Sequence, residues 1–333
     1  MVHDRVTVAV DVMGGDRAPG VVLDGVDAAL AADDGLWVVI TGPDDVVSPF
    51  AATRERVRAH ATTQVIDMGE HPATAVRSKK DSSIVVGCRL VKDGEADAFF
   101  SAGSTGACMA AATLMMGRIK GIARPAIATV IPSPQKPCIL LDIGANADCK
   151  PEYLVQFAHM GAAFSESVLG VAQPTVGLLN IGTEPTKGSR LAVEAHALMA
   201  RQLSQFAGNV EGRDVANGTV DVIVTDGFTG NVTLKVLEGL ATVLFREIKR
   251  TITSSRVRTI AGAMLKGSLE QLRGAMDAET YGGAPLLGVD GVCIIGHGST
   301  SHRGVAAGID VAARAVRSDL NDKIALAIKA HHD

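Results

Sequence analysis

Aromatic side chains are scarce in this 333-residue chain, at 3% of the composition with a single tryptophan, Trp37. The core must therefore be filled from Ala, Val, Leu, Ile and Met within the 47% hydrophobic content, as in buried parallel strands and close-packed helices. The five cysteines, Cys88, Cys108, Cys138, Cys149 and Cys293, are scattered and form no C-x-x-C pair. That argues against a zinc or disulfide framework, leaves no metal site to expect, and fits a reducing cytoplasm. Long apolar runs are missing as well. The longest, ACMAAATLMM over 107–116, is half of the ~20 residues needed to span a bilayer. MVHDR runs straight into an apolar strand, so no signal peptide is expected. A formal net charge of −4, with no basic run interleaved with aromatics, argues against a nucleic-acid partner.

The common signatures are absent too. There is no G-x-x-x-x-G-K-[ST], and Gly296-His297-Gly298 lacks the third glycine of a dinucleotide motif. G-x-S-x-G is also missing, which leaves a hydrolase-type serine nucleophile without support. No polar linker, low-complexity tract or fixed-period repeat interrupts the chain.

What is present is an alternation of apolar strand-like runs with helical periodicities. Strands are expected over 6–10, 36–41, 64–68, 98–101, 126–131, 138–143, 175–181, 220–225 and 291–295. None alternates cleanly with period two, which points to an α/β fold with a large, doubly wound, mostly parallel sheet covered on both faces. A helix is expected from Glu152 to Leu169, with Pro151 at its first position. The chain is expected to form one domain, with a helical projection inserted over 246–283. Within 246–259 there are five basic residues, and Val257, Ile260, Ala261, Met264, Leu265, Leu269, Leu272 and Met276 then follow helical spacing. Such a stripe serves core packing, a dimer contact or a membrane surface.

Six strand ends lead into glycine turns that carry a polar group: DVMGGD (11–16), SAGSTG (101–106), DIGAN (142–146), NIGT (180–183), TDGFTGN (225–231) and GHGST (296–300). In a parallel sheet such turns share one edge and converge on one crevice, where open α/β sheets bind ligands. Glycines let backbone amides approach a ligand, and helix amino termini favour anions. The expectation is a pocket for a phosphate-like anion beside a carbonyl substrate. Lys187, in the loop NIGTEPTKG, is a candidate cation for it, as are Arg77, Lys79 and Lys80. His297 between two glycines is either a proton shuttle or a turn-stabilising hydrogen-bonder. Asp11, Asp142 and Asp226 either orient cations or cap helices. Cys108 and Cys149, near helix starts, are either activated thiols or buried inert ones.

In order, DVMGGDRAPG, VRSKKDSS, SAGSTGA, RPAIA, DIGANADCKPEYLVQFA, NIGTEPTKG, TDGFTGNVTLK and YGGAPLLG…GHGST resemble the bacterial phosphate acyltransferase family (PlsX). The resemblance covers nearly the whole chain. It implies an α/β/α fold related to the isocitrate and isopropylmalate dehydrogenases, no cofactor, and a cytoplasmic homodimer associated peripherally with the inner membrane face. The implied reaction is acyl-[acyl-carrier protein] plus inorganic phosphate, giving acyl phosphate and free carrier. The product feeds a glycerol-3-phosphate acyltransferase in phospholipid synthesis. Ser104 stands where the family usually has Asn, Cys108 where it has an aliphatic residue, and Ser189 where Asn is common.

Phosphate is itself a nucleophile and a thiolate leaves readily, so such an enzyme needs positioning and oxyanion stabilisation rather than a nucleophile of its own. Gly14, Gly15, Gly103, Ser104, Thr105 and Gly106 are the expected phosphate site, with Lys187. Asn146 and Asn231 are candidates for polarising the thioester carbonyl, Asp226 for an orienting role, and His297 for protonating the thiol or fixing phosphate. Rival readings are a phosphotransacetylase-like transferase using acyl-CoA, a dehydrogenase of the same fold, and a membrane-docked scaffold. The dehydrogenase reading lacks an acidic metal cluster, and the scaffold leaves the polar turns unused.

Overall fold

Val6–Asp11 is buried along almost its whole length, which is why its apolar residues run on instead of alternating. It is the first of eleven strands in one sheet in this computed structural model, which describes residues 5–133, 135–275 and 278–330. In chain order the strands are β1 (Val6–Asp11), β2 (Leu36–Gly42), β3 (Val57–Ala61), β4 (Ala98–Ser101), β5 (Ala126–Ile131) and β6 (Cys138–Leu141). They continue with β7 (Val176–Leu179), β8 (Phe206–Val210), β9 (Val222–Val224), β10 (Ala284–Leu287) and β11 (Val292–Ile295). The helices are α1 (Gly20–Ala32), α2 (Asp44–Ala51), α3 (Pro72–Ser78), α4 (Ser83–Lys92), α5 (Thr105–Met115) and α6 (Pro151–Val168). After them come α7 (Arg190–Gln202), α8 (Gly212–Asn217), α9 (Gly227–Ile252), α10 (Arg256–Ala275), α11 (His302–Arg317) and α12 (Leu320–Ala330).

The sheet order is β3-β2-β1-β4-β11-β10-β5-β6-β9-β7-β8. From β3 to β11 the strands are mutually parallel, and so are those from β6 to β8. Between the blocks, β10 is antiparallel to both β11 and β5, and β5 is antiparallel to β6. Three successive reversals leave the two blocks running in opposite directions. Their strand carboxyl ends therefore open on opposite edges of the sheet. This corrects the expectation of a single crevice.

Helices cover both faces. On one, α1, α6 and α11 bury Val26, Phe157 and Ile309 in a core with Val8, Val10 and Phe100. On the other, Val85 of α4 and Ala111 of α5 join Ala9 and Phe99. Four of the aromatics, Phe99, Phe100, Phe157 and Phe164, are among the largest fully buried side chains. Two helical glycines make room for them. A Cβ on Gly87 would lie 2.3 Å from the Phe99 ring, and one on Gly308 2.2 Å from that of Phe100.

Residues 64–68 do not form the expected strand. The outer strand is Val57–Ala61, and Gln64 makes only an isolated bridge to Ser82. As an edge strand its sequence, VRAHA, carries little apolar signal. The other outer strand, β8, and the reversing strand β10 escaped for related reasons, being polar (FAGNV) and very short (APLL). The helical excursion expected from residue 246 starts inside α9, an unbroken helix of 26 residues. Helix α10 folds back on α9, and an apolar groove of about 620 Å³ between them includes Phe245, Ile248, Ile252 and Leu269, with Arg246 and Lys249. Val257, Ile260, Met264 and Leu265 are exposed on α10. The Leu272 side chain and Met276 of the expected stripe lie outside the described residues.

Candidate active site

At the carboxyl edge of the first block, three of the six turns lock together. Asp11, at the end of β1, is 1% exposed. It accepts hydrogen bonds from the Met13 amide at 3.0 Å and the Ser101 hydroxyl at 2.7 Å. Burial pushes its carboxyl above the ordinary 3.8, against the opposing pull of those bonds. The Gly103 amide in turn donates to Ser101 Oγ at 3.0 Å. Gly14 passes so close that a Cβ there would lie 2.6 Å from the Gly103 nitrogen and 2.9 Å from Asp11 Oδ2. No residue but glycine fits.

The third turn is tied in by backbone and by arginine. The Asp16 amide donates to Gly298 O at 2.8 Å, and Gly296 N to Ser101 O at 2.8 Å. The Arg17 guanidinium donates to the carbonyls of Ser299 and Thr300 at 3.1 and 2.8 Å. Arg17 escaped the sequence reading although it lies inside DVMGGDRAPG. Its position directly after the glycine turn was the available signal.

Among the expected phosphate ligands, the structure divides free groups from engaged ones. The amides of Gly14, Gly15, Thr105 and Gly106 have no partner among the described residues, and the last two open helix α5. The Gly103 amide is taken by Ser101, and Ser104 is the amino-terminal cap of α5, its hydroxyl accepting from Ala107 N at 3.5 Å. Free amides at a helix start that has no acidic residue in its first turn suit an oxyanion. Cys108, one turn on, is buried, and burial pushes its thiol up to about 12. It is the inert alternative. Cys149, half-buried, is likewise pushed up to about 12 by burial.

His297 is exposed beside this cradle. The Ser299 amide donates to its Nδ1 at 3.3 Å, and the Ser299 hydroxyl lies 2.8 Å from the same nitrogen. An amide N–H only donates, so Nδ1 is an acceptor and the neutral ring carries its proton on Nε2. That N–H has no partner among the described residues.

The other three turns lie at the opposite edge, at the ends of β6, β9 and β7. Asp142 is fully buried. Its Oδ1 accepts from the amides of Ile127, Gly144 and Ala145, and its Oδ2 from the Asn146 amide and side chain at 2.7 and 2.9 Å. Burial raises its carboxyl despite these bonds. Asn146 Nδ2 also donates to Pro125 O at 2.8 Å. Both of its side-chain N–H groups are therefore spent, which corrects its assignment to carbonyl polarisation. Asp226 is a helix cap, accepting from the Thr229 amide at 2.9 Å and hydroxyl at 2.7 Å.

Lys187 and Asn231 remain free there. Asn231 is exposed over Gly144. Lys187 is exposed in a loop held by Asn180, whose Nδ2 donates to Lys187 O at 2.9 Å. A pocket of about 370 Å³ beside them is lined by Asn180, Ile181, Gly188, Ser189, Asp226 and Thr229, among others. From β4, which carries SAGSTG, to β7, which carries Lys187, the sheet steps across six strand spacings, about 29 Å at ~4.8 Å each. Within one chain, Lys187 and the glycine cradle do not share a site. This corrects their grouping. Among the described residues no cluster of His, Cys, Asp and Glu is placed to hold a metal ion.

Comparison with known proteins agrees with this architecture. Residues 6–323 match the family described as "Fatty acid synthesis protein". A phosphate acyltransferase from Desulfitobacterium hafniense (strain Y51) is 49% identical over 321 residues, covering 95% of this chain and 96% of the relative. A phosphotransacetylase from Streptococcus pyogenes superposes with a TM-score of 0.63 at 16% identity, over 95% of both chains. A 4-hydroxythreonine-4-phosphate dehydrogenase from Klebsiella pneumoniae gives 0.53 at 13% identity, covering 94% of this chain and 98% of the other. At those identities the two structures speak to the fold alone.

Proposed function

This chain belongs to the phosphate acyltransferase family, and on that footing we propose that it moves a fatty acyl group from acyl-carrier protein to inorganic phosphate. A phosphate oxygen attacks the thioester carbonyl and the carbon–sulfur bond breaks. Acyl phosphate leaves, and the carrier thiolate takes up a proton. The observation that carries this reading is the cradle of unpartnered amides from Gly14, Gly15, Thr105 and Gly106, with the His297 Nε2–H at its rim. Preorganised N–H donors, the His297 Nε2–H among them, hold phosphate and stabilise the developing oxyanion, and the proton of the attacking hydrogen phosphate passes to the departing thiolate. Asp11, Ser101 and Arg17 keep the three turns in register.

The acyl phosphate is a substrate for a glycerol-3-phosphate acyltransferase. Among the described residues no helix is long and apolar enough to cross a membrane. We assign instead a peripheral contact to the α9–α10 projection of a cytoplasmic homodimer. Val257, Ile260, Met264 and Leu265 are exposed on α10, near Lys249, Arg250 and Arg258. That mixture suits an anionic lipid surface.

The test uses purified protein, a defined acyl-[acyl-carrier protein] and phosphate, with acyl phosphate trapped by hydroxylamine. Release of free carrier and formation of hydroxamate should both require phosphate. No phosphate-dependent release from the carrier, with turnover of acyl-CoA instead, would favour the phosphotransacetylase-like alternative.

A further inference from the structure

We infer that the segment 67–72, between β3 and α3, is the wall on which the first methylenes of the acyl chain rest, and that Met68 is the side chain that selects them. The inference rests on the acyl-transfer reading and adds to it the surface that receives the chain. The segment is a strap laid against two of the three cradle turns. At one end, a Cβ on Gly298 would lie 2.8 Å from the methyl carbon of Met68. At the other, a Cβ on Gly106 would lie 2.6 Å from Pro72 Cγ. Each of these glycines leaves the space that a strap residue fills, so strap and cradle are packed as one unit.

The strap is fixed in place. Ile66, just before it, is buried in the core that holds Phe99. Glu70 closes its turn, its amide donating to Asp67 O at 3.2 Å and its Oε1 accepting from the Asp67 amide at 2.7 Å. Lys79, at the end of α3, ties the turn down by donating to Glu70 Oε1 at 2.5 Å and to Val65 O at 2.7 Å. A side chain carried on a segment held this firmly can discriminate between ligands, because its support does not yield.

With phosphate on the cradle, the thioester carbonyl must come within ~3–3.5 Å of the attacking oxygen. The first methylenes of the chain then lie against whatever borders the cradle, and they need an apolar surface there. Met68 offers one, being 53% exposed although its methyl sits against Gly298. Among the described residues the other exposed large apolar side chains lie elsewhere. Leu114 is in the last turn of α5 and Leu326 is on α12. The rest fall between Ile181 and Leu265, in the second block and its projection. Asp67, Gly69 and His71, the exposed neighbours of Met68 on the strap, present no aliphatic side chain. Unbranched and polarizable, a methionine moulds to a flexible chain without demanding one conformation of it.

The experiment compares hexadecanoyl- with acetyl-[acyl-carrier protein] as substrates of the full chain, at enzyme levels that turn over both. Acetyl carries no methylene, so the ratio of kcat/KM for the long chain over the short one reads the proposed contact. That ratio should fall roughly tenfold in Met68→Ala, the scale of one lost apolar contact in a specificity pocket. Met68→Leu should restore most of it. Met68→Gln, close in length but polar, should lower it as Met68→Ala does, and it decides the matter where Met68→Ala does not fold. An unchanged ratio in Met68→Ala and Met68→Gln, with wild type active, overturns the inference and leaves the function standing. An equal loss on both substrates overturns it too, since Met68 would then merely prop the turn at Gly298. Wild type that releases carrier from neither substrate counts against the function, and the inference falls with it.

Discussion

Asp11 and Asp142 hold the same position in opposite halves of the sheet. Each ends or directly follows a strand, is buried, and accepts amide N–H groups from the glycine turn after it. In both, burial raises the carboxyl above its ordinary value. The two differ in what else they hold. Asp11 anchors a neighbouring turn through Ser101, whereas Asp142 is saturated by its own loop and Ile127. One buried aspartate links turns together and the other stiffens a single turn.

Asp11→Asn should therefore stabilise the protein most at neutral pH. The folded carboxyl is raised above the unfolded value of 3.8, so the native state binds the proton more tightly. Wild-type stability falls as pH climbs from about 3.8 through the folded value, by about 1.4 kcal/mol for each tenfold difference in proton affinity between the two states, and stays lower above it. The neutral amide escapes that loss and still pairs with Met13 and Ser101. Urea unfolding at pH 4 and pH 7 measures the difference. An advantage independent of pH would contradict the assignment.

Gly230→Ala should destabilise the fold. Its Cβ would lie 1.9 Å from the Asp142 carbonyl oxygen, on backbone that cannot swing aside. Forced contacts of this kind cost roughly 1–3 kcal/mol or more. Gly267→Ala on α10 meets nothing within 4 Å and should add about 1 kcal/mol from helix propensity. Equilibrium denaturation of the two variants should move in opposite directions.

His297→Ala should lower turnover roughly 10²–10⁴-fold if the ring, as imidazolium with its Nδ1 released from the Ser299 amide, protonates the leaving thiolate. His297→Asn can donate a hydrogen bond but does not titrate. It should recover part of the rate only if the role is to hold phosphate. The pH dependence of kcat separates the two, since loss of a proton donor removes the limb belonging to the imidazole. Wild-type rates in both variants would return His297 to a purely structural role in its turn.

Replacing Met264 and Leu265 together with Glu should abolish flotation with anionic liposomes and leave transfer in solution intact. These side chains are 84% and 54% exposed on α10, away from the cradle. Light scattering should give the same mass for the double variant and the wild type; a smaller mass for the variant would make α10 a contact between copies of the chain.

Much of the architecture can be read from local patterns. Apolar strands without alternation announced a sheet buried on both faces, and the glycine turns marked six strand ends. Strand direction left no such trace. Nothing in CILL or VIV distinguishes a strand running with β1 from one running against it, and the reversal depends on β10, four residues long and carrying Pro285. The site was legible to the same degree. Gly14 and Thr105 keep the free amides that the glycine turns suggested. Ser104 and Asn146 carry the right groups, but a helix cap and a buried carboxylate use them first. Such competition is settled by three-dimensional neighbours and leaves no mark on spacing.

The place of β11 in the sheet has a consequence for how the chain is made. The strand pairs with β4, and α11 packs on α1, with Val305 filling the space beside Gly25. The first block is thus assembled from residues 6–101 and 292–317, with the whole second block lying between them in the sequence. While the ribosome is still at work, β4 presents an unpaired edge and α1 an uncovered apolar face. Bare edges and faces of that kind are what chaperones bind and what aggregates grow from. The amino-terminal block lacks β11 and α11 until residues 292–317 are made, and only then does the glycine cradle acquire its third turn.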